Sequence, residues 1–415
     1  MTDLQPVSGI LAVLALAVLL SRERRAIPWQ VVGVAVAGQA LTGALFLHVD
    51  WAKQFLVYVT FLGESIQAAT QKATAFVFGY VGSSEVPFET VPGQSTFIFA
   101  FQVLPVIMVI GAISAMLWHW RVLGWLVAGG AWLARKTLRV SSPVGFAAVA
   151  NAFLGMIEAP LLIKPYLSRI SSPELFIVMA VGMSTIAGGT AVIINGILGP
   201  DTGAFANVVT ATLMNVPAAI ALSLMLMPNG GRQTTEQVRI ESPYQSTMDA
   251  LVSGTADGVR IFINVVSLLI VFITLVALID AMLGLLPGDW TLAGIMGYLL
   301  APVAWLIGIP GGEVFDAGAI IGTKVAVNEL VAYAALAESY GQLSDRTHFI
   351  LTFALCGFGN FGSLAIMIGG ISAMVPERRP EIIRFGLWSL LVAFMTNCLT
   401  AAVAALMAPS RYPSI

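Results

Sequence analysis

Charge is scarce in this sequence. Only 10% of its 415 residues are Asp, Glu, Lys or Arg, against roughly 25% in an ordinary soluble domain, so there is too little polar surface to face water. Cysteine is nearly absent: Cys356 and Cys398 both sit inside apolar runs, as small hydrophobes without the spacing of a metal site or a disulfide framework. The three histidines, His48, His119 and His348, stand near the ends of apolar segments, where a boundary role fits better than catalysis. A net charge of −2 gives no basis for a nucleic-acid partner.

What the chain does have is apolar length. It is 58% hydrophobic, with a mean hydropathy of +0.89, and apolar stretches recur from one end to the other. This composition reads as a single membrane-embedded unit. The first stretch, Pro6 to Leu20, is preceded by Asp3 and followed by Arg22, Arg24 and Arg25. That charge order is the reverse of a cleavable signal peptide, so it reads as a retained span.

A membrane-crossing helix needs about 20 mostly apolar residues, because lipid cannot satisfy exposed backbone groups. Eight segments qualify: Pro6 to Ser21, Trp29 to His48, Phe97 to Trp118, Phe176 to Leu198, Val208 to Met227, Val259 to Leu283, Phe349 to Met374 and Ile383 to Met407. Two shorter apolar pieces, Pro143 to Pro165 and Ile309 to Leu336, are rich in Gly and Pro and interrupted by charge. With eight crossings and two re-entrant hairpins, most basic residues fall on one face. They include Arg22, Arg24, Arg25, Arg121, Arg135, Lys136, Arg139, Arg169, Arg232, Arg239, Arg260, Arg378, Arg379 and Arg384; Lys53, Lys72, Arg346 and Arg411 are exceptions. The positive-inside rule makes that face cytoplasmic and puts both termini outside. The hairpins then open from opposite sides. Trp51 to Val81 mixes Lys53, Glu64, Gln67 and Lys72 with apolar residues at helical spacing, the pattern of an interfacial amphipathic helix or of a short soluble one.

The two halves echo each other. Glu158 in the first hairpin and Gly188 in the following span are 30 residues apart, as are Glu329 in the second hairpin and Gly359. Inverted repeats of broken helices build the substrate site of many transporters at the membrane midplane. The fold expected is therefore all-α and polytopic, with eight transmembrane helices plus two opposed re-entrant hairpins in an inverted repeat.

An ionisable side chain at membrane depth costs about 2.5 to 3.5 kcal/mol on insertion scales, so its default reading is functional. Glu158 and Glu329 are the clearest cases; the plainer alternative is that each pairs with Lys164 or Lys324 to hold its hairpin. Near Glu329 stand Asn328 and Lys324, and Asn360 and Ser363 share one face of the next span. Carboxylate, amide and hydroxyl together suit a polyol such as ribose, whose hydroxyls both donate and accept. Asn151, Thr185 and the broken backbone around Leu154 and Ile186 offer oxygen donors suited to Na+, or else hydrogen bonds between helices.

At these residues the chain resembles the concentrative nucleoside transporter family. The motifs are Glu158-Ala159-Pro160-Leu161-Leu162-Ile163-Lys164-Pro165-Tyr166, Ser184-Thr185-Ile186-Ala187-Gly188, Gly322-Thr323-Lys324 with Asn328-Glu329-Leu330-Val331-Ala332-Tyr333, and Ala354-Leu355-Cys356-Gly357-Phe358 with Asn360. The likeness runs from about Phe76-Val77-Phe78-Gly79-Tyr80 through the last span. It implies a homotrimer in the lipid bilayer whose transport domain moves past a scaffold in an elevator-like cycle, importing nucleosides with Na+ or, in some bacterial relatives, H+. No other cofactor is implied. It further implies that Glu329, Asn360 and Ser363 bind ribose, that Phe358 lines the pocket, and that Glu158 also belongs to the substrate site. Asn151 and Thr185 would supply side-chain oxygens to Na+, and Leu154 and Ile186 carbonyls. The chain divides into residues 1–140 (peripheral spans, interfacial helix, scaffold helix), 141–228 (first transport repeat), 229–308 (cytoplasmic loop, scaffold helix, interfacial helix) and 309–408 (second transport repeat). In a Gram-negative bacterium the membrane would be the inner one.

The sequence departs from the family at the tip of the first hairpin, where G-Q-[ST]-E is usual and Gly155-Met156-Ile157-Glu158 stands here. Gly189-Thr190 replaces a common Ser-Val pair, adding a hydroxyl near the expected base position. An apolar wall cannot offset the desolvation of a polar group, so base selectivity should differ from that of typical members. Three competing readings remain: a same-fold transporter for a non-nucleoside solute, a membrane enzyme using both carboxylates, and a channel. The enzyme lacks a nucleophile or metal cluster, and the channel lacks a continuous polar path.

Overall fold

The computed structural model describes residues 4–83, 86–88, 96–199, 202–230, 234, 238, 242–288 and 290–408. Arg232, Arg239, Arg411 and both extreme termini lie outside the described residues. Regular structure among the described residues is helical, apart from one isolated bridge between Tyr340 and Leu343.

The chain opens with α1 (Gln5–Leu19) and α2 (Trp29–His48), separated by the turn that carries Arg22, Arg24 and Arg25. Helix α3 (Asp50–Phe78) buries Ala52, Leu56, Gly63, Thr70 and Thr74, one narrow stripe at helical spacing, and leaves its other face exposed, as an interfacial amphipathic helix does. Helices α4 (Phe99–Gln102) and α5 (Val106–His119) form one span broken at Pro105, which has no N–H to continue the ladder. Helix α6 (Val122–Leu138) was not among the expected spans, because Arg135 and Lys136 cut its apolar run short.

The first interrupted segment comprises α7 (Ser142–Asn151), α8 (Glu158–Leu162) and α9 (Lys164–Leu167). A capping box at Ser171 and Glu174 then starts α10 (Ser172–Ser184), satisfying two orphan backbone donors reciprocally. The span continues, after a break at 185–187, as α11 (Gly188–Leu198). There follow α12 (Ala204–Leu226), α13 (Thr247–Leu283) and α14 (Leu292–Leu306). The second interrupted segment is α15 (Val314–Ala326) and α16 (Glu329–Glu338). A second broken span, α17 (Asp345–Ala354) and α18 (Phe361–Met374), leads into α19 (Arg379–Leu406).

Among the described residues, six stretches are long and apolar enough to cross a membrane: Trp29–His48, Phe99–His119, Ser172–Leu198, Ala204–Leu226, Thr247–Leu283 and Pro376–Leu406. Helix α1, at 15 residues, is shorter than that threshold, and α17 and α18 are separated by the break at 355–360. The most apolar window of Ser172–Leu198 is 78% buried and those of Ala204–Leu226 and Pro376–Leu406 are 83% buried, whereas that of Thr247–Leu283 is 0% buried. So α10, α12 and α19 form the inner bundle, with α17 packed against α12 and α19, while α13 turns its apolar length outward. Helix α13 meets α5 at close range through Gly254 and Gly258, where an added Cβ would strike the α5 backbone at Gly111 and Met108. Arg378 ties the end of the first interrupted segment to the start of α19, donating to Leu167 O at 2.8 Å and Ile170 O at 2.7 Å while pairing with Glu381 at 2.7 Å.

Candidate solute and ion site

In the second interrupted segment the chain turns at Val327 and Asn328. Asn328 caps α16, its Oδ1 accepting the Val331 N–H at 2.9 Å, and Glu329 occupies the first turn with 5% exposure. A carboxylate is favoured there by the unpaired N–H groups of the helix start. Across the site, Asn360 caps α18 by accepting the Ser363 N–H at 2.7 Å. Its amide nitrogen donates to Glu329 Oε2 at 2.9 Å. Glu329, Asn360 and Ser363 are thus brought together by two helix starts, and all three are buried. Phe358, half-buried in the break before Asn360, packs against the same buried apolar core as Phe153, Leu154 and Ile157 of the first segment.

Lys324 is turned away from this carboxylate. Its Nζ donates to Asn397 Oδ1 at 2.6 Å and Ala354 O at 2.9 Å, and no Lys324–Glu329 ion pair occurs among the described residues.

In the first segment, Asn151 ends α7 and is buried. Its Nδ2 donates to Thr185 Oγ1 and to Val181 O at 3.2 Å, and Thr185 Oγ1 donates to Val181 O at 3.1 Å. Asn151 Oδ1, by contrast, is buried without a hydrogen-bond partner among the described residues. An unsatisfied buried acceptor costs about 1–3 kcal/mol, a deficit that a hard cation would remove, since amide, hydroxyl and carbonyl oxygens are its preferred ligands. Ile186 lies in the break beside Thr185, its carbonyl receiving among the described residues only a long 3.5 Å contact from Thr212 Oγ1, and Leu154 is half-buried just beyond α7. The residues present therefore fit Na+.

Glu158 starts α8, half-buried, with backbone N–H groups of Ile157 and Glu158 itself facing its carboxylate. Gly155 lies against that carboxylate and beside Ala187 in the α10–α11 break. Among the described residues no ion pair joins Glu158 to the exposed Lys164. Thr190 is half-buried in the first turn of α11. Met156 and Ile157, the residues that depart from the usual hairpin tip, pack as apolar groups: Met156 against Gly182 of α10, Ile157 against Gly370 of α18.

Two residues that sequence reasoning missed stand behind both breaks. Asn215 of α12 donates to Ser184 O at 2.8 Å and Cys356 O at 2.7 Å. Asn397 of α19 donates to the same two carbonyls, at 3.0 and 2.6 Å. The available signal was an Asn in the middle of each apolar span, which in membranes often joins helices; the shared partners could not be read from spacing.

Broken helices that set a polar, oxygen-lined site inside an apolar bundle define a solute transporter. Residues 8–81 match the model of the Na+ dependent nucleoside transporter N-terminus, residues 207–405 that of its C-terminus, and residues 100–201 a nucleoside recognition (Gate) model. An uncharacterized transporter of Haemophilus influenzae is 34% identical over 98% of each chain. Nucleoside permease NupC of Helicobacter pylori is 31% identical, also over 98% of each. Among solved structures, CNTnw in an inward-facing substrate-bound state superposes with a TM-score of 0.92 at 32% identity, covering 99% of this chain and 100% of that one. This chain belongs to the concentrative nucleoside transporter family. It is a multi-pass helical membrane protein, and the family to which it belongs transports nucleosides.

Proposed function

We propose that the protein is a symporter that imports nucleosides by coupling them to Na+ or H+, and that it does so by elevator-like alternating access. In this reading eight spans and two opposed hairpins form an inverted repeat. Residues 141–228 and 309–408 make the moving transport domain, and residues 1–140 and 229–308 contribute the peripheral spans and scaffold. Three copies assemble in the lipid bilayer, a reading supported by the outward apolar length of α13. Both termini lie outside the cytoplasm, and in a Gram-negative cell the membrane is the inner one.

The observation that carries the reading is the buried Glu329–Asn360 hydrogen bond. It leaves one amide and one carboxylate poised between two helix starts, a donor and acceptor pair matched to adjacent sugar hydroxyls. Glu329, Asn360 and Ser363 bind ribose, Phe358 covers it, and Glu158 and Thr190 complete the chamber toward the base. Na+ takes Asn151 Oδ1, Thr185 Oγ1 and the carbonyls of Leu154 and Ile186. Ion binding orders the first hairpin, solute then bridges both hairpins, and the loaded domain moves inward.

The test is reconstitution into liposomes with imposed Na+ or proton gradients and a mixed nucleoside pool, followed by mass analysis of the lumen. Accumulation of an intact nucleoside above its external level, lost when the gradient is collapsed, is the expected result. Chemically altered nucleoside would indicate an enzyme, and equilibration without accumulation a channel. The apolar packing of Met156 and Ile157 favours one second reading, a same-fold transporter for a different solute. In that case no nucleoside accumulates or competes.

A further inference from the structure

The carbonyls of Ser184 and Cys356 occupy equivalent places in the two broken spans. Ser184 ends α10, one residue before Thr185, and Cys356 lies just beyond α17, two before Phe358 and four before Asn360. The last carbonyls of a helix have no partner within it. Here both are held by the same two side chains, with Asn215 and Asn397 each donating to both. A primary amide has two N–H groups and a carbonyl oxygen two lone pairs, so four N–H groups meet four lone pairs in a closed square. All four residues are buried.

The square is fixed from both sides. Thr400 Oγ1 donates to Asn215 Oδ1 at 2.6 Å and itself accepts from Gln39 Nε2 of α2 at 2.7 Å, while Lys324 Nζ donates to Asn397 Oδ1 at 2.6 Å. Each amide oxygen is thereby occupied, which fixes the direction of its N–H groups. An independent observation agrees: a Cβ at Gly357 would stand 2.6 Å from Asn397 Oδ1 and 2.7 Å from Ser184 O. Only glycine lets the second break approach the first this closely.

We propose that Asn215 and Asn397 are positioning residues that link the ion site to the solute site. The inference rests on the symport reading above and names its coupling element. Ion ligation through Thr185 and Ile186 sets the direction of the neighbouring Ser184 carbonyl. Because both N–H groups of each amide are engaged, Ser184 O cannot rotate without disturbing the bonds to Cys356 O. Cys356 O in turn fixes the start of the break that presents Phe358 and Asn360. The square is one connected element whose arrangement both sites bias, as coupling between distant ligands requires.

The test is equilibrium binding of tritiated uridine and adenosine to the purified full-length protein, at zero and saturating Na+ with choline as replacement, and at two pH values without Na+. The ratio of Kd values without and with ion is the coupling factor, expected at about tenfold in the wild type. Asn215→Ala, Asn397→Ala and Gly357→Ala are expected to bring it below about twofold while ion-free Kd moves less than about threefold. A merely structural role would lower thermal stability and weaken binding equally with and without ion. That result, with coupling retained, overturns the inference. Thr400→Val removes one brace but leaves the square's atoms in place, and serves where the alanine variants fail to fold. It should reduce the factor, and a wild-type factor in it also overturns the inference. A wild type that binds nucleoside without coupling to either ion defeats the symport reading and this inference together; coupling that survives in the variants defeats this inference alone.

Discussion

Asn360 and Glu329 meet at 2.9 Å, amide donating and carboxylate accepting, so the cap of α18 and the first turn of α16 act as one buried unit. Asn360 serves both sides of it, because the same side chain holds the Ser363 N–H. The polar groups proposed to face the solute therefore stand at two helix starts, Asn360 as the cap of α18 and Glu329 beside the Asn328 cap of α16, and their positions follow from helix capping.

Substitutions at the pair should separate binding from stability. Glu329→Gln keeps the shape and loses the charge; hydrogen bonds to charged groups contribute about 1.5–3 kcal/mol, so KM for nucleoside uptake should rise roughly tenfold or more with little change in melting temperature. Asn360→Ala should raise KM and also lower stability by about 1 kcal/mol through loss of the cap. Uptake kinetics beside thermal melts check both, and an unchanged KM in Glu329→Gln would remove its assigned role.

Asn151 Oδ1, without a hydrogen-bond partner among the described residues, leads to a prediction about the ion. Asn151→Ala should raise the half-saturating Na+ concentration by about tenfold, the loss of a charge-assisted contact, while uptake recovers at high Na+. Uptake measured across a Na+ titration tests this. A half-saturating concentration equal to that of the wild type would place the ion elsewhere.

Much of this was legible before any coordinates, for definite reasons. Glu158 and Glu329 stand out because charge is costly at membrane depth, and the breaks at 185–187 and 355–360 fall where glycines, Gly188 and Gly189 after the first and Gly357 and Gly359 within the second, interrupt apolar runs. Partners were harder to read. Lys324 was open to pairing with Glu329, five residues away, yet it donates to Ala354 and Asn397, contacts of 30 and 73 residues' separation that no local pattern encodes. Asn215 and Asn397 escaped for the same reason. Helix α6 was missed because Arg135 and Lys136 cut its apolar run short, so its buried stripe of Leu123, Val127, Ala131, Ala134 and Leu138 did not show as a span.

Lys324 supplies the next prediction. Its ammonium is 1% exposed by residue and satisfies two buried acceptors. Lys324→Met fills the same volume but strands both, at about 1–3 kcal/mol each. Lys324→Arg should not restore stability, since a planar fork cannot replace a compact ammonium in a closed pocket. Thermal unfolding in detergent decides; a methionine variant as stable as the wild type would contradict the assignment.

The hairpin tip should govern the base. Met156 is packed under Gly182 and Ile157 against Gly370, which leaves apolar groups where family members usually carry a Gln and a hydroxyl residue. The double substitution Met156→Gln, Ile157→Ser restores that pattern and should sharpen discrimination among bases by about tenfold or more, because a site with unpaired polar groups rejects a ligand that cannot satisfy them. Competition of labelled uptake by a nucleoside panel measures it. A wild type already strict for uridine over purine nucleosides would count against the idea.

The most direct test of the account crosses the protein with its solute. Nucleosides and their 2′- and 3′-deoxy analogues are bound to wild type and to Glu329→Gln, and the four affinities of each cycle are compared. If the Glu329 carboxylate holds a ribose hydroxyl, removing that hydroxyl weakens the wild type by about tenfold or more and the variant hardly at all, a non-additivity of 1 kcal/mol or more on the order expected for groups in contact. Losses that simply add at both hydroxyls would mean that this carboxylate does not touch the sugar.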